Sequence, residues 1–284
     1  MSSKKTAVGF IGAGNMAYGL IKGMTGANRA DIKIFIYDTD PSRADFVRDT
    51  LGVNSLNSIG GVVENCGIVF IAVKPYSVES VLEVAAGALN NIKSHKNIPL
   101  FISIAGGVKV GFMEEILNKM LKNNLPLKIF RVMPNINSLA GKGMSAMCYN
   151  SNVSQKDIET ASEILEMSSI VLNMDEKYFD AVTALSGSGP AYIFLIAEGL
   201  IEAGVKLGLP RDTAKTLTVQ TILGSAELLN SPEFSKTSTK DLKDMVTSPG
   251  GTTAYGLAKL EEGRIKHILD SAVNAAYLRA KGLV

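Results

Sequence analysis

Two glycine-rich turns, far apart in the chain, carry the residue types that grip anions. One is Ser248-Pro249-Gly250-Gly251-Thr252-Thr253. Its proline and adjacent glycines force a tight turn that leaves backbone N–H groups unpaired, and three hydroxyls crowd around it, so a carboxylate or phosphate can be cradled there. The other is Gly12-Ala13-Gly14-Asn15-Met16-Ala17. Here the first glycine permits the sharp turn, the second brings a pyrophosphate against the backbone, and the small Ala17 lets a following helix pack on the preceding strand with its N-terminus facing the phosphates. Asp38 stands about 20 residues further on, where a carboxylate meets the ribose 2′-OH of a dinucleotide. Two anionic ligands are implied, a nucleotide and something small.

Asp38 and Asp40 would repel a 2′-phosphate, which leans towards NADH, while Ser42 and Arg43 could cradle that phosphate, so NADPH stays open. Further turns end later apolar runs: Ala72-Val73-Lys74-Pro75, Ser103-Ile104-Ala105-Gly106-Gly107 and Arg131-Val132-Met133-Pro134-Asn135. Ligands of open α/β sheets collect at the carboxyl ends of strands, so Val73, Lys74, Pro75, Ala105 and Gly106 are expected beside the nicotinamide half, with Pro134 and Asn135 as a wall. Ser186-Gly187-Ser188-Gly189-Pro190 reads as a helix start capped by Ser188 or Gly189 that also lines the pocket. Imidazole chemistry is poorly supplied, because the chain has only His95, in a polar connection, and His267, on a basic helix. Cys66 and Cys148 lack metal-ligand spacing and read as buried reduced thiols; no metal site is expected.

The elements that must hold these turns fall into two halves. From about residue 7 to residue 133, apolar runs at 7–11, 32–37, 68–72, 100–104 and 129–132 alternate with amphipathic stretches of helical length. Unbroken apolar runs indicate strands covered on both faces, hence an α/β, doubly wound parallel sheet of Rossmann type, extended by a strand at 144–149, a helix at 154–167 capped by Ser154, and a strand at 170–174. After Tyr178 helical periodicity takes over, with helices expected at 190–207 (closed by Gly208), 210–229, 240–246, 252–262 and 264–281. The expected domains are therefore residues 1–175, dinucleotide-binding, and 176–284, all-helical. The helical half carries wide apolar faces, for example Ile193, Ile196, Leu200 and Ile201, which suit completion by a second copy, so a homo-oligomer is expected. A net charge of +2 with scattered Lys and Arg supplies neither a basic face for nucleic acid nor a polybasic membrane patch. The N-terminal apolar run is broken by Gly12 and Gly14 and reads as neither signal peptide nor spanning helix, which points to the cytoplasm.

Taken in order, Gly9-Phe10-Ile11-Gly12-Ala13-Gly14-Asn15-Met16-Ala17, Ala72-Val73-Lys74-Pro75, Arg131-Val132-Met133-Pro134-Asn135, Ala184-Leu185-Ser186-Gly187-Ser188-Gly189-Pro190-Ala191-Tyr192 and Ser248-Pro249-Gly250-Gly251-Thr252-Thr253 closely resemble pyrroline-5-carboxylate reductase, over nearly the whole chain. The resemblance implies reduction of 1-pyrroline-5-carboxylate to L-proline with NADPH or NADH, and a helical domain that interlocks with a partner's into dimers, often in a ring of five. It implies that the pyrophosphate lies on Gly12 to Ala17 and the nicotinamide near Lys74, Pro75, Ala105 and Gly106. It also implies that Ser248, Gly251, Thr252 and Thr253 hold the substrate, and that Glu176 lies close to it. Thr252 departs from the family's usual Ala.

The chemistry fits a chain poor in histidine. A cyclic imine needs a hydride at carbon and a proton at nitrogen, and that nitrogen arrives protonated or takes a proton from a hydroxyl or water. The expected roles are Ser248 and the Gly251 and Thr252 N–H groups on the carboxylate, beside Gly250, and Thr253 on the nitrogen, with Ser186 and Gly187 lining the pocket. Two other readings remain: a related two-domain NAD(P)-dependent reductase of the hydroxyacid dehydrogenase type, disfavoured because no lysine lies between Gly187 and Glu202, and a nucleotide-binding protein without catalysis, which leaves the second turn without a purpose.

Overall fold

The computed structural model describes residues 6–27, 29–92, 98–122 and 125–283; His95 lies outside them. The chain divides into two compact units, one of residues 1–188 and 277–284 and one of residues 189–276.

The first unit is built on an eight-stranded sheet. In chain order its elements are β1 (Thr6–Ile11), α1 (Asn15–Gly26), β2 (Ile32–Tyr37), α2 (Pro41–Leu51), β3 (Asn54–Ser55), α3 (Ile59–Asn65), β4 (Ile68–Ile71), α4 (Val78–Leu89), β5 (Leu100–Ser103), α5 (Val110–Met120), β6 (Lys128–Pro134), β7 (Gly143–Tyr149), α6 (Gln155–Glu166), β8 (Ser169–Asn173) and α7 (Phe179–Val182). The strand order is β3-β2-β1-β4-β5-β6-β7-β8, parallel throughout except for the antiparallel pair β6–β7. The unbroken apolar strands have the expected cause. Alternate residues of β1 and β4 enter opposite cores: Val8, Phe10, Ile68 and Phe70 pack with Leu20 of α1, Val47 of α2 and Ile164 of α6, while Ile11, Val69 and Ile71 pack with Val63, Leu82 and Met113 of α3, α4 and α5. Phe10 and Phe70, paired in register, stack with ring centroids 4.5 Å apart. Burying each such side chain contributes about 1.5–3 kcal/mol, and the two-sided core holds the strand ends rigid. The order in which strands are added reverses between β1 and the parallel β4, which leaves a crevice at their carboxyl ends.

The second unit is helical: α8 (Gly189–Lys206), α9 (Arg211–Asn230), α10 (Thr239–Met245), α11 (Thr252–Glu262) and α12 (Ile265–Ala280), whose last residues belong to the first unit. Gly208, at φ +95°, ends α8 as expected. Among the described residues only Pro190 is buried along α8, and none along α11 or α12. Phe194 and Leu195 are 63% and 68% exposed. Such helices have a hydrophobic surface but no core of their own.

The compact division falls later than the boundary expected after residue 175. Residues 176–188 stay with the sheet because Phe179 is wholly buried in its core and Glu176 bonds to Arg131 of β6. The helix start expected near Ser188 also differs. Helical backbone already runs from Glu176, widening into a π-turn over Thr183–Gly187 before α8, with no capping side chain; the whole run, Glu176–Lys206, is long and apolar enough to cross a membrane by length and composition. Pro190 explains the turn: it has no N–H for the carbonyl of Ser186, which a helix would otherwise pair with it. Asn135 satisfies that carbonyl instead, at 3.2 Å.

Candidate active site

The Gly12 turn links β1 to α1 in the crevice. Gly12 sits at φ +98°, and a side chain there would meet the Ala72 backbone carbonyl, with Cβ 2.7 Å from its oxygen. Only glycine is accommodated. Gly14, by contrast, has nothing within 4 Å of where a Cβ would be; it faces open space, the cradle a phosphate needs. Ala17 is buried against the sheet, so the helix sits close enough to point its first N–H groups at that space. The cleft measures about 740 Å³ and is lined by Gly12, Gly14, Asn15, Met16, Asp38, Val73, Lys74, Pro75, Ala105 and Gly106 among others. Residues expected from four separate stretches of sequence thus come together. Ala13 is buried behind the turn and offers only its backbone.

Asp38, just after β2, and Arg43, in the first turn of α2, brace this turn. The Asp38 carboxylate accepts the Ala13 N–H at 2.7 Å through Oδ2 and the Asp40 N–H at 2.9 Å through Oδ1. Arg43 Nε donates to the Ala13 carbonyl at 2.6 Å and Nη2 to Asn15 Oδ1 at 3.3 Å. Both residues are expected on the cofactor; their bonds to the turn are a tertiary feature that spacing alone does not show.

Asn135 is the residue that sequence reasoning valued too little. It is buried, donates through Nδ2 to the Ser186 carbonyl and hydroxyl, and accepts the Met144 N–H through Oδ1. It pins the π-turn to the strand end. A Cβ on Gly187 would stand 2.6 Å from Met133 Cε, so the turn packs closely on the end of the Met133 side chain and a larger residue would require that side chain to shift. The signal available in sequence was a polar Asn ending an apolar strand, directly after Pro134.

Glu176, expected near the substrate, holds two bonds within the first unit. Its Oε1 accepts Arg131 Nη1 at 2.9 Å and the Val110 N–H at 2.9 Å, at the start of α5. Arg131 is almost wholly buried and stacks over the Phe179 ring at 4.7 Å. Glu176 lines a different cleft, beside Cys148 and Asn150, not the glycine cleft. A buried guanidinium needs a carboxylate, and Glu176 is the one in reach. Burial pushes both the Cys66 and the Cys148 thiol up to about 12, with the charge of Glu176 adding to the effect on Cys148. These thiols stay protonated and inert.

The second turn, in the helical unit, precedes α11. Gly250 is left-handed at φ +67°, and the Gly251 N–H donates to the Ser248 carbonyl at 3.0 Å. That differs from the expectation that the Gly251 N–H meets a ligand: closing the turn uses it. The N–H groups of Thr252 and Thr253 head α11. The Ser248 hydroxyl and carbonyl crowd the place where a side chain on Gly251 would stand, so a larger residue there would require the Ser248 side chain to turn away. Ser248, Gly250 and Thr252 are exposed, and Thr253 is half-buried. His267 is exposed on α12.

Residues 176–283 match the family model described as pyrroline-5-carboxylate reductase dimerisation, and residues 7–105 match the one described as NADP oxidoreductase, coenzyme F420-dependent. The pyrroline-5-carboxylate reductase of Corynebacterium melassecola is 34% identical over 98% of both chains. That of Pisum sativum is 36% identical over 99% of this chain and 97% of its own length. The chain belongs to the pyrroline-5-carboxylate reductase family. A crystal structure of Plasmodium falciparum pyrroline carboxylate reductase with NADP bound superposes with a TM-score of 0.82 at 36% identity, covering 99% of each chain. Members of the family are NAD(P)-dependent oxidoreductases, and the helical half of this chain is their dimerisation domain.

Proposed function

We propose that this chain reduces 1-pyrroline-5-carboxylate to L-proline with NAD(P)H, the last step of proline biosynthesis. The observation that supports the reading best is the glycine cleft. A strand-end crevice is gathered from four stretches of one family-matched chain, and it has an open phosphate cradle at Gly14. Gly12 to Ala17, Asp38, Arg43, Val73, Lys74, Pro75, Ala105 and Gly106 would hold the cofactor, which when bound supplies the hydride.

The remaining work is placement. In this reading Ser248 and the Thr252 and Thr253 N–H groups orient the substrate carboxylate, with Gly250 and Gly251 shaping the turn. The Thr253 hydroxyl holds or protonates the ring nitrogen, and Ser186 and Gly187 line the pocket. Orientation of this kind can supply roughly 7–11 kcal/mol of barrier reduction, which suits a site without histidine. Glu176 acts at one remove, through Arg131. The functional form is a homodimer through residues 176–284, open to assembly into a ring of five dimers, and its place is the cytoplasm. Light scattering at working concentration reads the assembly.

The test is NAD(P)H oxidation by purified protein with the imine. Turnover that requires both reagents is expected. Folded protein that binds NAD(P)H yet consumes none with this imine, and does consume it with the keto or aldehyde form of a hydroxyacid, would transfer the chain to the rival reductase reading.

A further inference from the structure

The Asn135 side-chain amide is fully engaged, and both of its hydrogens go to one residue. Its Oδ1 accepts the Met144 N–H at 3.1 Å, which fixes the orientation of the amide, because only its oxygen can accept. The Nδ2 end therefore faces Ser186, donating to the carbonyl at 3.2 Å and to the hydroxyl oxygen at 3.3 Å. Buried just after β6, Asn135 has no hydrogen left for a ligand of its own.

The consequence falls on the Ser186 hydroxyl. An O–H has one hydrogen to give, and an oxygen that accepts from Asn135 turns that hydrogen away from the amide. Among the described residues it meets no acceptor: Thr183, three positions earlier, gives its own hydrogen to the Phe179 carbonyl, and Ser186 has no such bond. The grip on the carbonyl holds the Ser186 backbone, the grip on the oxygen sets its side chain, and a hydroxyl that accepts one hydrogen bond donates a stronger one. Ile136, the neighbour of Asn135, lines the glycine cleft with Ile104, Ala105 and Gly106. A half-buried hydroxyl with a directed, unused hydrogen is thus tied to the chain segment that forms this wall of the cleft.

We propose, on the reading that this chain reduces 1-pyrroline-5-carboxylate, that Ser186 donates its hydroxyl hydrogen to the substrate carboxylate and that Asn135 is the positioning residue that aims it. The carboxylate is acceptor-only and suits such a donor, whereas a protonated ring nitrogen is itself a donor. No bond breaks and no proton is transferred; the contribution is orientation.

The experiment compares wild type, Ser186→Ala, Asn135→Asp and the double variant in KM for the imine, in NAD(P)H binding by fluorescence, and in calorimetric binding of L-proline, the product, which needs no turnover. A hydrogen bond to a charged group supports an expected loss of about tenfold or more in KM for the imine and in proline affinity for Ser186→Ala, with NAD(P)H binding changed less than about threefold. In Asn135→Asp the new carboxylate accepts the Ser186 hydrogen and turns it inward, so a similar loss is expected, and the double variant should lose little more than Ser186→Ala alone. Should Asn135→Asp not fold, Asn135→Ala takes its place in the cycle with the same criterion. Unchanged proline affinity in Ser186→Ala overturns the proposal; so do equal losses for proline and NAD(P)H, which mark a brace of the turn, and single losses that add in the double variant. If wild type reduces no imine but proline affinity follows the stated pattern, the assigned reaction fails while Ser186 keeps its place on a carboxylate.

Discussion

Glu176 offers the sharpest division between a substrate contact and a structural one. Its Oε1 is the shared acceptor for Arg131, whose side chain is 4% exposed, and for the N–H that starts α5. Removing one partner of a buried ion pair costs about 3–5 kcal/mol, because the other charge stays stranded. The Glu176 side chain is 33% exposed, so water replaces part of what is lost, and the lower end, about 3 kcal/mol, applies to Glu176→Ala. For a unit of this size that corresponds to a fall in Tm of about 6–12 °C by calorimetry. Glu176→Gln keeps an oxygen for both donors but leaves the Arg131 charge unneutralised, so an intermediate penalty of about 1.5–3 kcal/mol is expected. Both variants, assayed below their Tm, should retain the KM for the imine within about twofold. A Glu176→Gln protein with unchanged Tm and a KM raised tenfold would refute this reasoning and return Glu176 to the substrate.

Other expectations follow from the same geometry. Thr253→Ala should lower kcat/KM for the imine, by about 2.7–4 kcal/mol in barrier if its hydroxyl meets developing charge, and leave cofactor KM unchanged; a variant with wild-type kinetics removes Thr253 from the reaction. Gly12→Ala should abolish tight NAD(P)H binding by fluorescence titration, since its Cβ meets the Ala72 carbonyl in a backbone conformation that alanine resists. Because Cys66 and Cys148 titrate near 12 when folded but ionise near 9.0 when free, the unfolded chain binds fewer protons above pH 9. Stability should therefore fall as pH rises from about 9 towards 12, by at most ~1.4 kcal/mol per pH unit per thiol; urea titrations of Cys66→Ala should show a shallower slope. Leu195→Asp, on the exposed face of α8, should convert the dimer to monomer in gel filtration.

Much of this was legible in sequence where one physical rule decided each element. Unbroken apolar runs set β1, β4 and β5 inside the sheet, and Gly12, Gly14 and Asp38 each had a stereochemical reason at a fixed spacing. Ser154 capped its helix as expected, in a capping box with Asp157. What escaped was tertiary. That Glu176 answers Arg131 across 45 positions, or that Asn135 answers the carbonyl freed by Pro190, depends on which strand end meets which turn, and periodicity carries no such information. The Ser248 turn was legible as a turn, but not the use of the Gly251 N–H to close it.

The bare apolar helices of the second unit make protein concentration itself a control on catalysis. A chain whose helical unit buries so little alone gains its stability by mass action, so on dilution specific activity should decline with time and return on concentration. A newly made chain would stay inactive, and attractive to chaperones, until it met another copy of itself.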